Sequence, residues 1–302
     1  MTRGFVTIAT GSDRYYNMAR TLLRSYRQNC PSPVPFGLIT DRQNEYTQEF
    51  DDVVILDSPT NSWLDKLHLL EACPYDENIF IDADCLIYSD INFLWDLYQN
   101  ADDFSCFGKA LPVEAEGGWF SQQAADYYPI HFCTHLHGIL YFIRKSETLP
   151  RMQTMCNDII ANYNKIVFKG FNDKLADEPV YALAMATLNL KPVDRLPEYY
   201  CFVPYATKFR SNYTRRKVHF SNPTDGSINK CCIVHWGNLN TRRARYRADA
   251  KAVNDSGRYV FFHRSGLIKF FYMLQDCIKD CGKWILYLSG RIFIKIKRLL
   301  GK

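Results

Sequence analysis

The sequence predicts an α/β fold, a mixed and mostly parallel sheet flanked by helices, with a C-terminal amphipathic helical tail. Three observations carry that expectation. Short apolar runs of strand length alternate with amphipathic stretches of helix length through the first half of the chain. Aspartates stand at or near the ends of those runs, at Asp41, Asp82 and Asp84, the edge where open α/β sheets bind ligands. The 302 residues are 47% hydrophobic and 15% aromatic, enough for a substantial core and too apolar for a disordered chain.

The elements follow in order. GFVTIAT (residues 4–10) reads as a buried strand. YYNMARTLLRSYRQN places Met18, Leu22, Leu23 and Tyr26 at amphipathic-helix spacing. VPFGLITD is a second strand ending at Asp41, VVILDS a third, and WLDKLHLLEAC a helix stopped by Pro74. NIFIDADCLIY is a fourth strand with the aspartate pair inside it. DINFLWDLYQN reads as a helix, and residues 109–128, rich in Gly, Pro and aromatics, as a loop over the site. LHGILYFIR restores a strand, PRMQTMCNDIIANYNKI a helix, and DEPVYALAMATLNL another helix opening at Asp177 and Glu178. CCIVHWGN is a late strand ending near His235, and no repeat appears.

Residues two apart on a strand face the same side, roughly 6.5–7 Å apart at Cα, so Asp82 and Asp84 are expected to converge while Ala83 points away. Two buried carboxylates repel unless one is protonated or a cation joins them. Carboxylate oxygens suit Mg2+ or Mn2+, which keep positions open for phosphate oxygens. One imidazole tilts the choice to Mn2+, and His235 is the candidate. The plainer reading makes one aspartate a turn cap, the other solvated, and His235 an ordinary half-buried histidine. It outweighs a metal site for an isolated Asp-x-Asp, and the flanking NIFI and CLIY lower it. Phosphatases of the haloacid dehalogenase type also use Asp-x-Asp, but with Thr or Val where Leu86 stands, and at the start of the chain.

KLHLLEACPYDENIFIDADCLIYSDINFLWD resembles the Asp-x-Asp region of GT-A type glycosyltransferases, particularly family eight and its bacterial relatives. The resemblance runs roughly from Phe5 to Asn238, with VTIAT, ITD, a preceding lysine, HLHGILYFI, the acidic pair and VHWG in family order. It implies a Rossmann-like GT-A domain over residues 1–265 and a nucleotide-diphosphosugar donor, a UDP-sugar being favoured, held by Mn2+ or Mg2+. It also implies transfer of a hexosyl group to a glycan in surface-polysaccharide synthesis, and the basic C-terminal tail suits a lipid-linked glycan as the acceptor. By the resemblance Asp82 would contact ribose and metal, Asp84 the metal, and His235 would be the third ligand. Thr7, Ala9 and Asp41 would surround the nucleotide, with Asp41 near the base. Lys66 would approach the phosphates or sugar and Gly237 would line the donor site, while Gly138 is read physically, as a place where the backbone approaches a ligand closely. A fixed cation and a lysine stabilise a diphosphate leaving group without proton transfer.

Two features depart from the family. Leu136, His137 and Gly138 stand where Asn-Ser-Gly is frequent, and NLNTRRAR replaces Lys-Pro-Trp. Arg242, Arg243 and Arg245 either grip diphosphate oxygens or form a solvated helix face. Asp177 and Glu178 either cap their helix or serve the sugar: orienting the donor, acting as the acceptor's base, or supporting the anomeric carbon. Retention is slightly favoured over inversion. The rival readings are a catalytically silent sugar-nucleotide or membrane-binding protein of the same fold, and a metal-dependent phosphatase.

The net charge of +5 lies in the tail, where residues 267–302 carry eight Lys or Arg against two Asp. That distribution speaks against nucleic acid as a partner. Residues 266–302 place Phe271, Leu274, Ile278, Ile285, Leu288 and Ile292 on one helical face and Lys269, Lys279, Lys283 and Arg291 on the other. Such a basic amphipathic helix suits an anionic membrane surface, or else packs on the protein's own core or on a second copy in an oligomer. No apolar run is long enough for a signal peptide or a span, so a cytoplasmic protein, peripheral on the inner face of the membrane, is expected. Most of the eleven cysteines, which lack framework spacing, read as small buried residues, and Cys231 with Cys232 and Cys277 with Cys281 form no CxxC pair that would favour a metal. His131, His135 and His137 alternate onto one strand face without a carboxylate or cysteine to complete a zinc set, and read as core or loop histidines.

Overall fold

The structure is a computed structural model describing residues 1–113, 115, 118–120, 122–166, 168, 175–194, 200–204, 206–221, 232–237, 240–255, 274 and 278. Its first strands are β1 (Arg3–Ala9), β2 (Phe36–Thr40), β3 (Asp52–Ile55), β4 (Glu77–Ile81), β5 (Cys85–Ile87), β6 (Phe104–Leu111) and β7 (Cys133–Arg144). All but β5 join one sheet in the order β3-β2-β1-β4-β7-β6. β1 to β4 run parallel, as the alternating pattern predicts, and β7 lies antiparallel between β4 and β6.

Parallel neighbours need a crossover, and α1 (Asp13–Asn29) supplies the first. Ser12 caps it by accepting from the Arg14 N–H, and Met18, Leu22, Leu23 and Tyr26 are all buried. Phe5 and Ala9 of β1 pack into the apolar layer with α1, while Val6 faces the layer holding α4 (Thr148–Ala161) and α5 (Asp177–Leu188). Strand alternation thus fills both faces, and the sheet sits between two helical layers.

Several expectations need correction. NIFIDADCLIY is not one strand. β4 stops at Ile81, residues 82–84 turn, and β5 joins a separate sheet in the order β5-β11-β8, formed with β8 (Tyr200–Phe202) and β11 (Ile233–His235). The helix expected from residue 63 is a 3-10 segment, Trp63–His68, followed by one turn of α2 (Leu69–Ala72). The helix expected after Asp90 is only α3 (Leu94–Leu97). The loop expected from Lys109 begins after Leu111, because β6 pairs along β7 as far as Cys133. β9 (Thr207–Asn212), β10 (Lys217–Ser221) and α6 (Ala244–Asp255) had no expectation at all. Their sequences are short or polar, although KVHFS does alternate, burying Val218 and Phe220.

β7 carries one irregularity that matters below. Cys106 pairs with Tyr141 and Gly108 with Leu136, so two steps along β6 face five along β7. A bulge of this kind bends its strand, and here it is centred beside Gly138.

The eight described cysteines are free and seven are buried, as expected. The tail helix over 266–302, and with it the division at 265, lies outside the described residues except for Leu274 and Ile278, which are helical and exposed. Among the described residues no helix is long and apolar enough to cross a membrane.

Candidate active site

Ile79, Phe80 and Ile81 are fully buried in β4 and deliver Asp82 to the strand's carboxyl end. There the Asp82 N–H donates to the Ile139 carbonyl at 3.1 Å, and the Asp82 carbonyl accepts from the Cys85 N–H at 3.0 Å, closing a turn. The turn, not strand alternation, brings the two carboxylates together. Ala83 is buried in the apolar layer, as its place between them requires. β5 then pairs with β11 so that Cys85 faces His235, and the Asp84 carbonyl accepts from the Trp236 N–H at 3.2 Å. One short ladder therefore fixes His235 against the turn.

His235 Nε2 lies 3.0 Å from Asp84 Oδ1 and 3.7 Å from Asp82 Oδ2. The three side chains each offer a ligand atom, all within 4.8 Å of one another. On the other side Lys66 Nζ lies 2.9 Å from Asp82 Oδ1 and 3.3 Å from Asp177 Oδ2, and donates to the Gly138 carbonyl at 3.2 Å. The Tyr141 hydroxyl donates to Asp177 at 2.8 Å. The Tyr181 hydroxyl donates to the Lys66 carbonyl at 2.8 Å, holding the 3-10 segment against α5.

The electrostatics follow from burial opposed by charge. Burial raises Asp82, and with Asp84 adding repulsion it stays raised although Lys66 pulls it down. Burial acts likewise on Asp84, but His235 outweighs it and lowers that carboxyl. Burial lowers His235, but Asp84 more than reverses this, so the imidazole sits above its ordinary 6.5. Lys66 is raised despite burial by Asp177 and Asp82. Glu178 is pushed up to about 8, first by burial and then by Asp177, which leaves it protonated near neutrality. Three carboxyl groups thus crowd around one lysine and one imidazole, an arrangement that added positive charge would stabilise. Two carboxylates and an imidazole are a donor set that fits Mn2+ or Mg2+.

No protein-family model matches the chain, and no curated protein matches it. Solved structures do. The galactosyltransferase LgtC, in complex with donor and acceptor sugar analogues, superposes with a TM-score of 0.54 at 13% identity, over 87% of this chain and 99% of that one. An active-site mutant of LgtC gives 0.50 at 14% identity, over 84% and 95%. The fold is GT-A-like. At these identities the likeness establishes the architecture and leaves the chemistry to the residues themselves.

Within the GT-A-like fold the other expected residues fall into distinct groups. Asp41 follows β2 and accepts from the Gly11 N–H at 3.2 Å and from the Tyr16 hydroxyl. Burial would raise it, but those two donors outweigh burial and lower it. Thr7 is fully buried, and its hydroxyl has no hydrogen-bond partner among the described residues. Ala9 is buried in the apolar layer under α1. Gly237 follows β11 with φ +67° against Pro204 and Phe202. Asp177 and Glu178 do not cap α5. Ala176 holds the cap position without a side-chain bond, and Asp177 spends its carboxylate on Lys66 and Tyr141. Arg242, Arg243 and Arg245 are exposed, and Arg245 donates to the Phe209 carbonyl, which matches the helix-face alternative. His135 and His137 lie on β7 and His131 precedes it, and none joins a metal-ligand group among the described residues.

Two features had no signal in the sequence. Phe202 stacks on His235, with centroids 4.8 Å apart and planes at 26°, while His235 Nδ1 has no hydrogen-bond partner among the described residues. Stacking therefore sets the ring where a second-shell acceptor commonly would. Asp65 is buried and accepts from Thr10 Oγ1 at 2.6 Å and from the Thr60 and Asn61 N–H groups at 2.6 and 3.0 Å, tying the loop after β3 to the end of β1.

Gly138, at the centre of the bulge, brings the β7 backbone against α5. A β-carbon there would lie 2.3 Å from Glu178 Cγ and 2.3 Å from the Tyr141 hydroxyl. Gly138→Ala is therefore expected to push α5 away from β7, costing about 1–3 kcal/mol in urea denaturation. A variant as stable as wild type would mean that the contact yields freely.

Proposed function

We propose that the protein is a metal-dependent glycosyltransferase that moves a hexosyl group from a UDP-sugar to a glycan or lipid-linked glycan acceptor in surface-polysaccharide synthesis. The observation that carries this reading is the convergence of Asp82, Asp84 and His235 at the carboxyl edge of the sheet, with Lys66 beside them. In this reading Asp84 and His235 bind Mn2+ or Mg2+, and Asp82 holds the cation and faces the ribose. Thr7, Ala9, Asp41 and Gly237 border the nucleotide, and Gly138 lets the backbone approach the sugar. The bound cation would neutralise the departing diphosphate. Lys66 adds a fixed positive charge on the same side without giving up its proton, since its neighbours hold it charged.

Asp177 positions Lys66, which leaves Glu178 as the carboxyl next to Gly138 and nearest the sugar. A cation held at Asp82 would offset part of the repulsion that raises Glu178 and would favour its ionised form. An ionised Glu178 would support the anomeric carbon on the face a retaining transfer uses. The basic tail is proposed to hold the enzyme peripherally on an anionic, cytoplasmic membrane surface.

The test is donor hydrolysis: UDP-sugars incubated with protein and Mn2+, with UDP release followed by chromatography. Slow, metal-dependent release is expected. Binding without release would favour a silent sugar-nucleotide protein, and phosphate release from simple esters would favour a phosphatase.

Metal affinity should also depend on pH. His235 is raised above 6.5, so at and below that pH it is the imidazolium and the cation must displace its proton. Affinity should rise with pH until the folded-state value is passed. In the metal-free protein the raised imidazole contributes stability that is full below 6.5 and is lost as pH rises through the folded value. Calorimetry in buffers of different ionisation enthalpy should find about one proton released per Mn2+ near pH 6.5. Affinity that is flat between about pH 5.5 and 8 would remove His235 from the ligand set.

A further inference from the structure

A file of four rings leads outward from the carboxylate cluster. Its inner end lies where Gly138, the neighbour of His137, comes against Glu178 Cγ, and Tyr200 stands there on β8. His137 meets Tyr200 edge-on with centroids 6.2 Å apart, and His135, two residues along β7, lies 5.7 Å from His137. Trp119 stacks on His135 at 3.9 Å and 25°. His135 is exposed, while Trp119, His137 and Tyr200 are half-buried.

Trp119 is held rather than draped. Its backbone N–H donates to the Thr134 carbonyl at 2.9 Å and its indole N–H to the Leu136 carbonyl at 3.2 Å. A β-carbon on Gly118 would lie 1.8 Å from Cys133 Sγ, so only glycine lets this loop lie so close to β7. The indole N–H is therefore already engaged, and the half-buried ring stands beside His135. The two imidazoles make no hydrogen bond among the described residues; burial pushes His137 down to about 4, and the Trp119 ring stacked on one face of His135 shields it from water and lowers it as well, so both stay neutral, each with one donor and one acceptor nitrogen. The charged neighbour in the ladder is Lys109, opposite His135.

We propose that Trp119, His135, His137 and Tyr200 form the platform for a neutral hexopyranose, the terminal sugar of the acceptor. This rests on the donor site proposed above. Ring faces take the C–H face of a pyranose, and uncharged imidazoles bond its hydroxyls without selecting an anion. The file begins at Glu178 and ends at solvent, so a sugar lying on it enters from outside and presents a hydroxyl to the carboxylates. The diphosphate of the donor lies at the other end, on Asp82, Asp84 and His235. Trp119 is fixed before any sugar arrives, which reduces the entropy lost on binding.

The experiment is saturation-transfer NMR on the full chain, using methyl glucopyranosides and methyl galactopyranosides with methyl glucuronide as the anionic control, alongside UDP–Mn2+ titration. Wild type should transfer saturation to ring C–H protons of at least one neutral pyranoside. Trp119→Leu and His137→Ser should each weaken that transfer about fivefold, Trp119→Phe should largely keep it, and all three should bind UDP–Mn2+ as wild type does. Undiminished transfer in the Leu and Ser variants, no transfer from neutral pyranosides in wild type, or a preference for the glucuronide would each overturn the platform. Equal loss of UDP–Mn2+ binding would assign the rings to the donor pocket and overturn the acceptor role. Pyranoside binding by a wild type that ignores UDP would keep the platform and remove the donor reading alone.

Discussion

Asp84→Ala is expected to slow Mn2+-dependent UDP-sugar hydrolysis at least about a hundredfold, equivalent to about 2.7 kcal/mol of transition-state stabilisation. Asp84 is the carboxylate best suited to a cation. It is the one held in its ionised form, and its Oδ1 lies 3.0 Å from His235 Nε2. Deleting it removes a proposed ligand and also the charge that favours the protonated imidazole. The loss should persist at saturating Mn2+ if the cation acts in the chemical step, and should fade with added metal if Asp84 only recruits it. The metal-free fold should change little, because the lost attraction to His235 is offset by relief of repulsion on Asp82. Thermal melts of the metal-free variant check this. Unchanged turnover in a folded Asp84→Ala would dismiss the proposed centre.

The sequence made the parallel half of the sheet legible, because β1, β2 and β4 are continuous apolar runs and α1 shows its buried face at helical spacing. The convergence of Asp82, Asp84 and His235 was anticipated for a different reason: charged residues ending apolar runs are costly and few. The geometry that unites them was not. Asp82 and Asp84 converge through a turn and a switch of sheet, set by the pairing of β5 with β11 roughly 150 residues later, a long-range term that local pattern does not contain. Phe202 was equally hidden, since a three-residue strand shows no period. The cap reading of Asp177 failed because α5 starts inside the cluster, where Lys66 and Tyr141 compete for the carboxylate more strongly than the helix's own N–H groups.

The same competition makes Lys66→Met the most disruptive single change expected for the fold. Lys66 is 13% exposed and lies between Asp82, at 15%, and Asp177, at 5%. Removing one partner of a buried ion pair leaves an uncompensated charge and costs about 3–5 kcal/mol, here with two carboxylates stranded. The sign with pH is opposite to that of an ordinary carboxylate pair. In wild type the raised ammonium keeps its contribution throughout the neutral range and loses it only above the unfolded lysine value of 10.5. In the variant Asp82, already raised above 3.8, loses its nearest cation and rises further. A carboxylate raised on folding destabilises above its unfolded value, and protonation relieves it as pH falls. Urea denaturation should therefore show a larger deficit at about pH 8 than at about pH 5. Mn2+ should stabilise the variant more than wild type, since the cation supplies part of the missing charge. An equal deficit at both pH values, unaffected by metal, would mean that Lys66 acts through the packing of its stem and not by balancing the acidic cluster.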